Sequence, residues 1–338
     1  AITQISDSKS GWLDQLGIYI RGNFFIPDAR AFWIEPSVEY LTSYLKNHPV
    51  DALFSDGPPH TNTYIASQLK KKLGIPWLMD FQDPWTQADY YKMMPIGKRA
   101  RKRHAEMQQE CFENADKITI ASPSWKTDLE HIGAENVDVL YYGYDEDDFV
   151  NLEKNESKTF FDIVHIGLLG HDRSLGDLVE ILEDLSSKKK IRLIVAGVQI
   201  EHGGRVTGEH FKKMHDETVV INRRIQDEEK IYLFQRVDYC FAGFKKEFKS
   251  SSGVLVDCVE FQVPFISTNH QELAKLYEYD ENFLIYDAGD VTILSSKMQE
   301  LINKNSSLSN KKPLPVPSAM TLDSFIKVLN FDGPCEKE

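Results

Sequence analysis

The sequence predicts an α/β protein of two domains, each built on a parallel sheet. Two observations predict it. Strand-like apolar runs alternate with helical runs along the chain, which is the pattern of βαβ units. A polar, charged stretch, "DEDDFVNLEKNESK" (145–158), parts these runs into two sets and reads as a linker. The length agrees, since 338 residues are too many for one small core and suit two α/β domains. The predicted divisions are 1–150, 151–310 and a tail at 311–338.

The first strands expected are "VDALFSD" (50–56), "PWLMDF" (76–81), "KITIAS" (117–122) and "VDVLYYG" (137–143). A helix fits "HTNTYIASQLKKKLG" (60–74), where Ile65, Leu69 and Leu73 recur at helical spacing. Three lysines in its last turn favour the helix dipole, and Gly74 ends it. Everything before Val50 reads as helix and loop, so the N-terminal domain looks incomplete, short of its front strands. The second set is fuller: "FDIVHIG" (161–167), "IRLIVAG" (191–197), "TVVINR" (218–223), "YCFAGF" (239–244), "VPFIST" (263–268) and "NFLIYD" (282–287). Helices fit "SLGDLVEILEDL" (174–185), with one leucine stripe, and "QDEEKIYLFQRV" (226–237), with acids in its first turn. In the tail, a proline-broken piece precedes a short amphipathic helix that could fold back onto the first domain.

Composition excludes several classes. The net charge of −13 argues against a nucleic-acid partner, because phosphate backbones need a basic surface. Cys111, Cys240, Cys258 and Cys335 are scattered, without CxxC or metal spacing, which implies reduced thiols, no metal and a cytoplasmic setting. No apolar run approaches the roughly 18 residues of a membrane span. The chain opens on Ala1 with no methionine and no signal peptide, as a portion of something longer would. No HExxH, GxxxxGK[ST] or GxSxG occurs, which sets aside zincins, P-loop enzymes and α/β-hydrolases.

Ligands of open parallel sheets bind beyond the carboxyl ends of the strands. After 161–167 comes "GLLGHDRS", where Gly167 and Gly170 permit a tight turn and Arg173 offers a planar cation to phosphate oxygens; a plain βα turn is the alternative. "KSSSG" (249–253) places Ser251, Ser252 and Gly253 at a helix N-terminus, an anion site by its free N–H groups and dipole, with Lys249 adding charge. Gly253, Asp257 and Glu260 share a face of that helix, where a carboxylate could accept from ribose hydroxyls. An ordinary N-cap and a solvated acidic face would look the same. "MDFQDPWTQ" (79–87) brings Asp80 and Asp83 to a strand end, to handle protons or bind hydroxyls; the alternative is an Asp-Pro turn with Trp85 as packing. His60, at the exit of the proline loop in "SDGPPHTNT" (55–63), is a catalytic candidate or a structural histidine. The basic run "GKRARKRHAEMQQE" (97–110) reads first as a solvated helix face, and second as a peripheral contact with anionic lipid headgroups. "HGGRVTGEH" (202–210) reads as a loop.

Taken together, "SDGPPHTNTYIASQLKKKLGIPWLMDFQDPW" (55–85) resembles the bacterial group 1 (family 4) glycosyltransferases, many of which carry a GPPH segment followed by DFRDPW. "ASPSWKTDL" (121–129), "VLYYGYDEDDF" (139–149), "FDIVHIGLLGHDRS" and "SSSGVLVDCVEFQVPFIST" resemble the family's later strand ends and its donor-phosphate helix, in order, over about residues 50–300. The resemblance implies a GT-B fold, two Rossmann-like doubly wound domains facing a cleft. It implies retaining transfer of a sugar from a nucleotide-sugar donor, with no cofactor, to a glycan or lipid-linked acceptor in surface polysaccharide synthesis. This places the chain in the cytoplasm or at the inner face of the cell membrane. By that likeness Arg173, Lys249, Ser251, Ser252 and Gly253 hold the donor diphosphate. Asp257 takes the ribose-binding second place of the family's Glu-x7-Glu motif, and Asp83 lines the acceptor side. The chain departs from the pattern at Lys249, where the first glutamate belongs, and at Gln82, where DFRDPW has arginine. Two rival readings remain: a nucleotide-sugar epimerase of GT-B fold, and a nucleotide-sugar-binding subunit that has lost turnover.

Overall fold

The computed structural model describes residues 12–88, 91–92, 94–143, 160–167, 169, 175–186, 190–198, 218–246, 249, 252–269, 272–278, 280, 282–304 and 326–327. These residues divide into two units, one through Tyr141 together with 326–327, the other from Tyr142. The charged stretch at 145–158, the loop at 202–210 and nearly all of the tail lie outside the described residues.

In the first unit, helix α1 (Trp12–Phe24), a short 3-10 turn (Ala31–Trp33) and helix α2 (Ile34–Asn47) precede the sheet, in line with the helical reading of the front. The remaining elements are strand β1 (Leu53–Gly57), helix α3 (His60–Leu73), β2 (Trp77–Phe81), helix α4 (Lys98–Asn114), β3 (Lys117–Ile120), helix α5 (Pro123–His131) and β4 (Val137–Val139). All four strands are parallel and lie in chain order, β1-β2-β3-β4. The expected strand at 137–143 stops at Val139.

Helix α3 ends as its sequence requires. Gly74 takes φ 71° and its N–H bonds to Lys70 O at 2.9 Å. Ile65 and Leu69 are buried and pack with Val38 of α2, with Leu73 and Leu53 beside them. Helix α4 is clasped to α3 at Glu110. Its carboxylate accepts from Tyr64 Oη (2.9 Å), Gln68 Nε2 (2.8 Å) and Lys71 Nζ (2.9 Å). The core between sheet and helices gathers Trp77, Met79, Phe81, Trp85, Met107, Cys111, Ile118, Ile120, Trp125 and Leu129.

The second unit holds β5 (Phe161–Ile166), helix α6 (Gly176–Ser186), β6 (Ile191–Ala196), β7 (Val219–Ile221), helix α7 (Asp227–Phe234), β8 (Tyr239–Ala242), helix α8 (Gly253–Glu260), β9 (Phe265–Thr268), helix α9 (Glu272–Lys275), β10 (Leu284–Tyr286) and helix α10 (Val291–Lys304). Its six parallel strands run β10-β9-β8-β5-β6-β7. The chain therefore builds outward from β5 in one direction, returns to β8 on its other side, and builds outward again. That is the doubly wound order, and its reversal lies between β5 and β8. The leucine stripe of α6 works as expected, with Leu175, Leu178, Leu182 and Leu185 buried against Leu193, Phe241 and Ile266. An ion pair with its carboxylate buried and its guanidinium 37% exposed braces the amino end of β5. Arg192 donates to both oxygens of Asp162 at 2.7 Å, and Asp162 is 3% exposed.

Candidate functional site

In the second unit, the two loops singled out from sequence leave the two strands that flank the reversal. Gly167 follows β5 directly. Its φ of 123° belongs to glycine, and its carbonyl crowds the next strand end. A Cβ placed on Gly197, after β6, would meet Gly167 O at 1.9 Å, so both positions exclude a side chain. Gly167 N–H bonds to Ala196 O at 2.9 Å. Its amide is thus spent inside the sheet, and what Gly167 contributes to a ligand is the shape of the turn. Gly170 and Arg173 lie outside the described residues.

The other loop follows β8 and opens helix α8. Ser251 lies outside the described residues, and Lys249 is exposed. Ser252 is the N-cap, and its side chain makes no capping bond. Its Oγ is buried without a hydrogen-bond partner, the residue being 2% exposed. Gly253 is exposed, and a Cβ built on it would find nothing within 4 Å. The main chain at the start of α8 can therefore be approached closely, as a helix N-terminus that binds an anion must be.

One turn on, Asp257 Oδ1 accepts from Lys230 Nζ of α7 at 3.2 Å. Burial raises the Asp257 pKa and the lysine beside it works against that rise. Glu260 is 7% exposed. The face shared by Gly253, Asp257 and Glu260 thus runs from solvent into the core and is not a solvated acidic stripe.

In the first unit, chemistry collects at the carboxyl ends of β1 and β2. Asp56 and Asp80 are register partners on these strands. Asp80 accepts a short bond from Thr119 Oγ1, and Asp56 accepts from Gln82 Nε2 at 3.1 Å. Burial is the main reason the Asp80 pKa is raised to about 6; the Thr119 bond pulls it down and Asp56 pushes it up. Asp56 is raised too, again by burial. Asp83 is half-buried, two residues past β2.

His60 begins α3 and is buried. Its ring stacks on the Trp85 indole, centroids 4.9 Å apart and planes 2° from parallel, and meets the edge of Phe81 at 5.7 Å. Both ring nitrogens are buried without a partner, as are Thr63 Oγ1 and Asp56 Oδ1. His60 Nδ1 and Thr63 Oγ1 converge over Gly57: a Cβ there would lie 3.1 and 2.9 Å from them. Burial lowers the His60 pKa to about 3, with Asp28 opposing and His104 assisting. The imidazole is therefore neutral at physiological pH and able to donate or accept one hydrogen bond.

Two participants, Asp28 and His104, had no local signal in the sequence. Asp28 caps α3 from 33 residues upstream, accepting from Thr61 N–H (2.8 Å) and Thr61 Oγ1 (2.9 Å). A carboxylate of the chain itself thus occupies the anion position of that helix. His104 Nδ1 accepts from Trp85 Nε1 at 3.0 Å, which leaves its proton on Nε2, facing the Gly22 backbone. Trp85 is packing, as one reading held, and it is also the platform on which His60 lies.

Among the described residues no group of three or more His, Cys, Asp or Glu could hold a metal ion.

No family model matches the sequence, and no curated protein matches it. Solved structures do. The chain is similar to a lipopolysaccharide outer core galactosyltransferase, WaaB (14% identity, TM-score 0.56, covering 79% of this chain and 70% of that one). It is similar to Anabaena HepE in complex with UDP-glucose (13%, TM-score 0.57, 80% and 73%). It is also similar to a structure described as trehalose-6-phosphate from E. coli bound with UDP-2-fluoro glucose (12%, TM-score 0.58, 95% and 82%). These neighbours are GT-B glycosyltransferases, and the chain, with its two parallel α/β sheets, has the GT-B fold.

Proposed function

We propose that the chain is a glycosyltransferase that takes a nucleotide-sugar donor in its second unit. The sugar passes to a glycan or lipid-linked acceptor, in the synthesis of a bacterial surface polysaccharide. The observation that carries the reading is the opening of α8. It sits on the β8 side of the sheet reversal, with a bare Gly253 and a buried, unpartnered Ser252 hydroxyl. Amides and hydroxyl there suit the diphosphate of a nucleotide sugar. Asp257, steadied by Lys230, suits a ribose hydroxyl.

As the anomeric bond to the diphosphate breaks, negative charge grows on the leaving phosphate. Donors already aimed at it stabilise the transition state more than the ground state. Ser251, Lys249 and Arg173 join this grip by the family resemblance. The acceptor oxygen bonds to the anomeric carbon from the face that the phosphate leaves, so that configuration is retained, and its proton goes to the departing phosphate. His60, held at a pKa of about 3, is a weak proton acceptor. Its role in this reading is a neutral hydrogen bond to a sugar hydroxyl at Gly57, beside Thr63. Asp83 and the Asp56–Asp80 pair belong to the acceptor side.

Calorimetric titration with UDP, GDP and ADP, each free and as its glucose conjugate, tests the reading. One nucleotide should bind, and Gly253→Val should weaken it by at least about tenfold, because the side chain fills the approach to the amides. Absence of binding by any of the three to folded protein would overturn it. Donor isomerised without acceptor would point to an epimerase, and binding without chemistry under any acceptor to a lapsed subunit.

A further inference from the structure

The His60 ring takes no orientation from hydrogen bonds, since neither of its nitrogens has a protein partner. What holds it is the face of Trp85, 4.9 Å away and 2° from parallel, and the edge of Phe81. The tilt of the imidazole therefore follows the tilt of the indole. An indole has one polar atom, a single N–H donor. In Trp85 that donor is spent on His104 Nδ1, at 3.0 Å. The bond needs an imidazole with no proton on Nδ1. Burial keeps His104 in that neutral state, lowering its pKa to about 4. His104 is itself seated, with Tyr91 edge-on at 5.4 Å and its Nε2 facing the Gly22 backbone of α1.

The next turn of α4 repeats the arrangement. Gln108 stands one turn after His104, on the same face of the helix. Its Oε1 accepts from the backbone N–H of Thr86 at 3.1 Å, and its Nε2 donates to Gln87 Oε1 at 2.9 Å. Both side chains are buried, His104 being 4% and Gln108 1% exposed. Trp85, Thr86 and Gln87 are thus held, residue by residue, by two polar groups one turn apart on α4. Filling the core does not require them. Burying an imidazole and a carboxamide costs desolvation, and the buried side of α4 carries Met107, Cys111 and Phe112 where only volume is needed. What the two polar groups add is direction. A hydrogen bond constrains angle as well as distance, whereas apolar contact is non-directional and lets a flat indole slide.

We propose that His104 and Gln108 are positioning residues for glycosyl transfer: from α4 they fix the plane of Trp85, and through it the direction in which His60 offers its hydrogen bond to a sugar hydroxyl. Neither residue touches substrate in this arrangement. The inference rests on the role proposed for His60 in transfer. Its size follows from geometry, since a misplacement of about 1 Å at a group that orients substrate can cost about a hundredfold in rate.

Two substitutions at one position separate orientation from packing. His104→Leu removes the acceptor, and His104→Gln retains one for the indole N–H. In protein isotope-labelled in histidine and tryptophan, the NMR signals of the Trp85 indole N–H and of the His60 ring report the stack, with Trp85→Phe and His60→Phe assigning them. His104→Leu should move both sets of signals, and His104→Gln should leave them near the parent's. Turnover is read as release of nucleotide from whichever glucose conjugate of UDP, GDP or ADP binds. It should fall at least about tenfold in His104→Leu and stay within about threefold of the parent in His104→Gln. Kd for the free nucleotide should be unchanged in both, because the nucleotide is taken by the second unit. Gln108→Met should move the same signals less, and it takes the place of His104→Leu should that variant not fold. Unmoved His60 signals in the folded variant overturn the proposal, and so does a turnover loss that His104→Gln shares in full. Failure of every nucleotide to bind the parent is a different result. It removes the reading of function, while the His60 signals still decide whether α4 orients that ring.

Discussion

The imidazole of His60 lies flat on the indole of Trp85, 4.9 Å between centroids and with planes 2° from parallel, both rings being buried. Trp85 is held in turn by its own N–H to His104. Two segments that adjoin the carboxyl ends of neighbouring strands, 58–60 and 82–85, are thereby locked into one surface. The neutral state of His60 follows from this burial and gives the first prediction.

In the unfolded chain His60 takes up a proton below about pH 6.5; in the folded chain it does so only near 3. Stability from holding it neutral is full above pH 6.5 and is lost as pH falls toward 3. His104, lowered by burial to about 4, acts the same way. Asp80, raised to about 6, opposes them, since the folded chain protonates it first. Replacing His60 by Phe removes one proton from this balance and strands no partner. Between pH 6 and 4, His60→Phe should therefore gain on the parent by about 1.4 kcal/mol per pH unit. Urea midpoints across that range measure it, and parallel curves for the two proteins would refute the burial assignment. Transfer activity of the variant should fall even where its stability rises.

Gly57→Ala should be costly at a position that looks permissive. The new methyl would lie 2.9 Å from Thr63 Oγ1 and 3.1 Å from His60 Nδ1, and neither side chain has a flexible end to swing away. A loss of about 1–3 kcal/mol is expected, as for overpacked cores. A melting temperature equal to the parent's would show that the convergence over Gly57 is loose.

Ser252→Ala separates binding from folding. The hydroxyl is buried and makes no capping bond, so the usual cost of losing an N-cap does not apply. Stability should change by less than about 0.5 kcal/mol. Nucleotide affinity should drop by about tenfold, the worth of one hydrogen bond to a charged oxygen. A large stability loss with intact affinity would make Ser252 a structural residue only.

Arg192→Leu should destabilise the second unit by about 1–3 kcal/mol, because it strips a nearly buried Asp162 carboxylate of two hydrogen bonds, while the exposed guanidinium end keeps the cost below that of a fully buried pair. The double variant Arg192→Leu/Asp162→Leu should recover most of that loss. Chemical denaturation of the three proteins measures both steps.

Much of the architecture was legible in local pattern. The alternation of apolar runs marked every strand of both sheets; in the inner strands, such as β5 and β8, the cause is that a strand buried on both faces must be a short continuous apolar run. Gly74 and the lysines before it marked the end of α3, because an αL turn and a dipole are local physics. The small residues before α8 marked an open helix N-terminus for the same reason. Where prediction overreached, the cause was burial. Glu260 shares a helical face with Asp257 by spacing, yet it is inside. Gly167 makes the tight turn its sequence permits, with φ 123°, and its N–H belongs to Ala196.

The sequence by itself determined where strands and helices lie and which loops leave strand ends, since period and turn chemistry act over a few residues. Only the tertiary structure decided which loops share the reversal between β5 and β8. Tertiary packing alone put Asp28 on the N-terminus of α3, and it alone made His60 neutral on Trp85. It also decided that His104 and Gln108 of α4 hold the segment from Trp85 to Gln87. Each of these depends on groups tens of residues apart meeting in a low-dielectric interior or at one surface, and no local pattern encodes such a meeting.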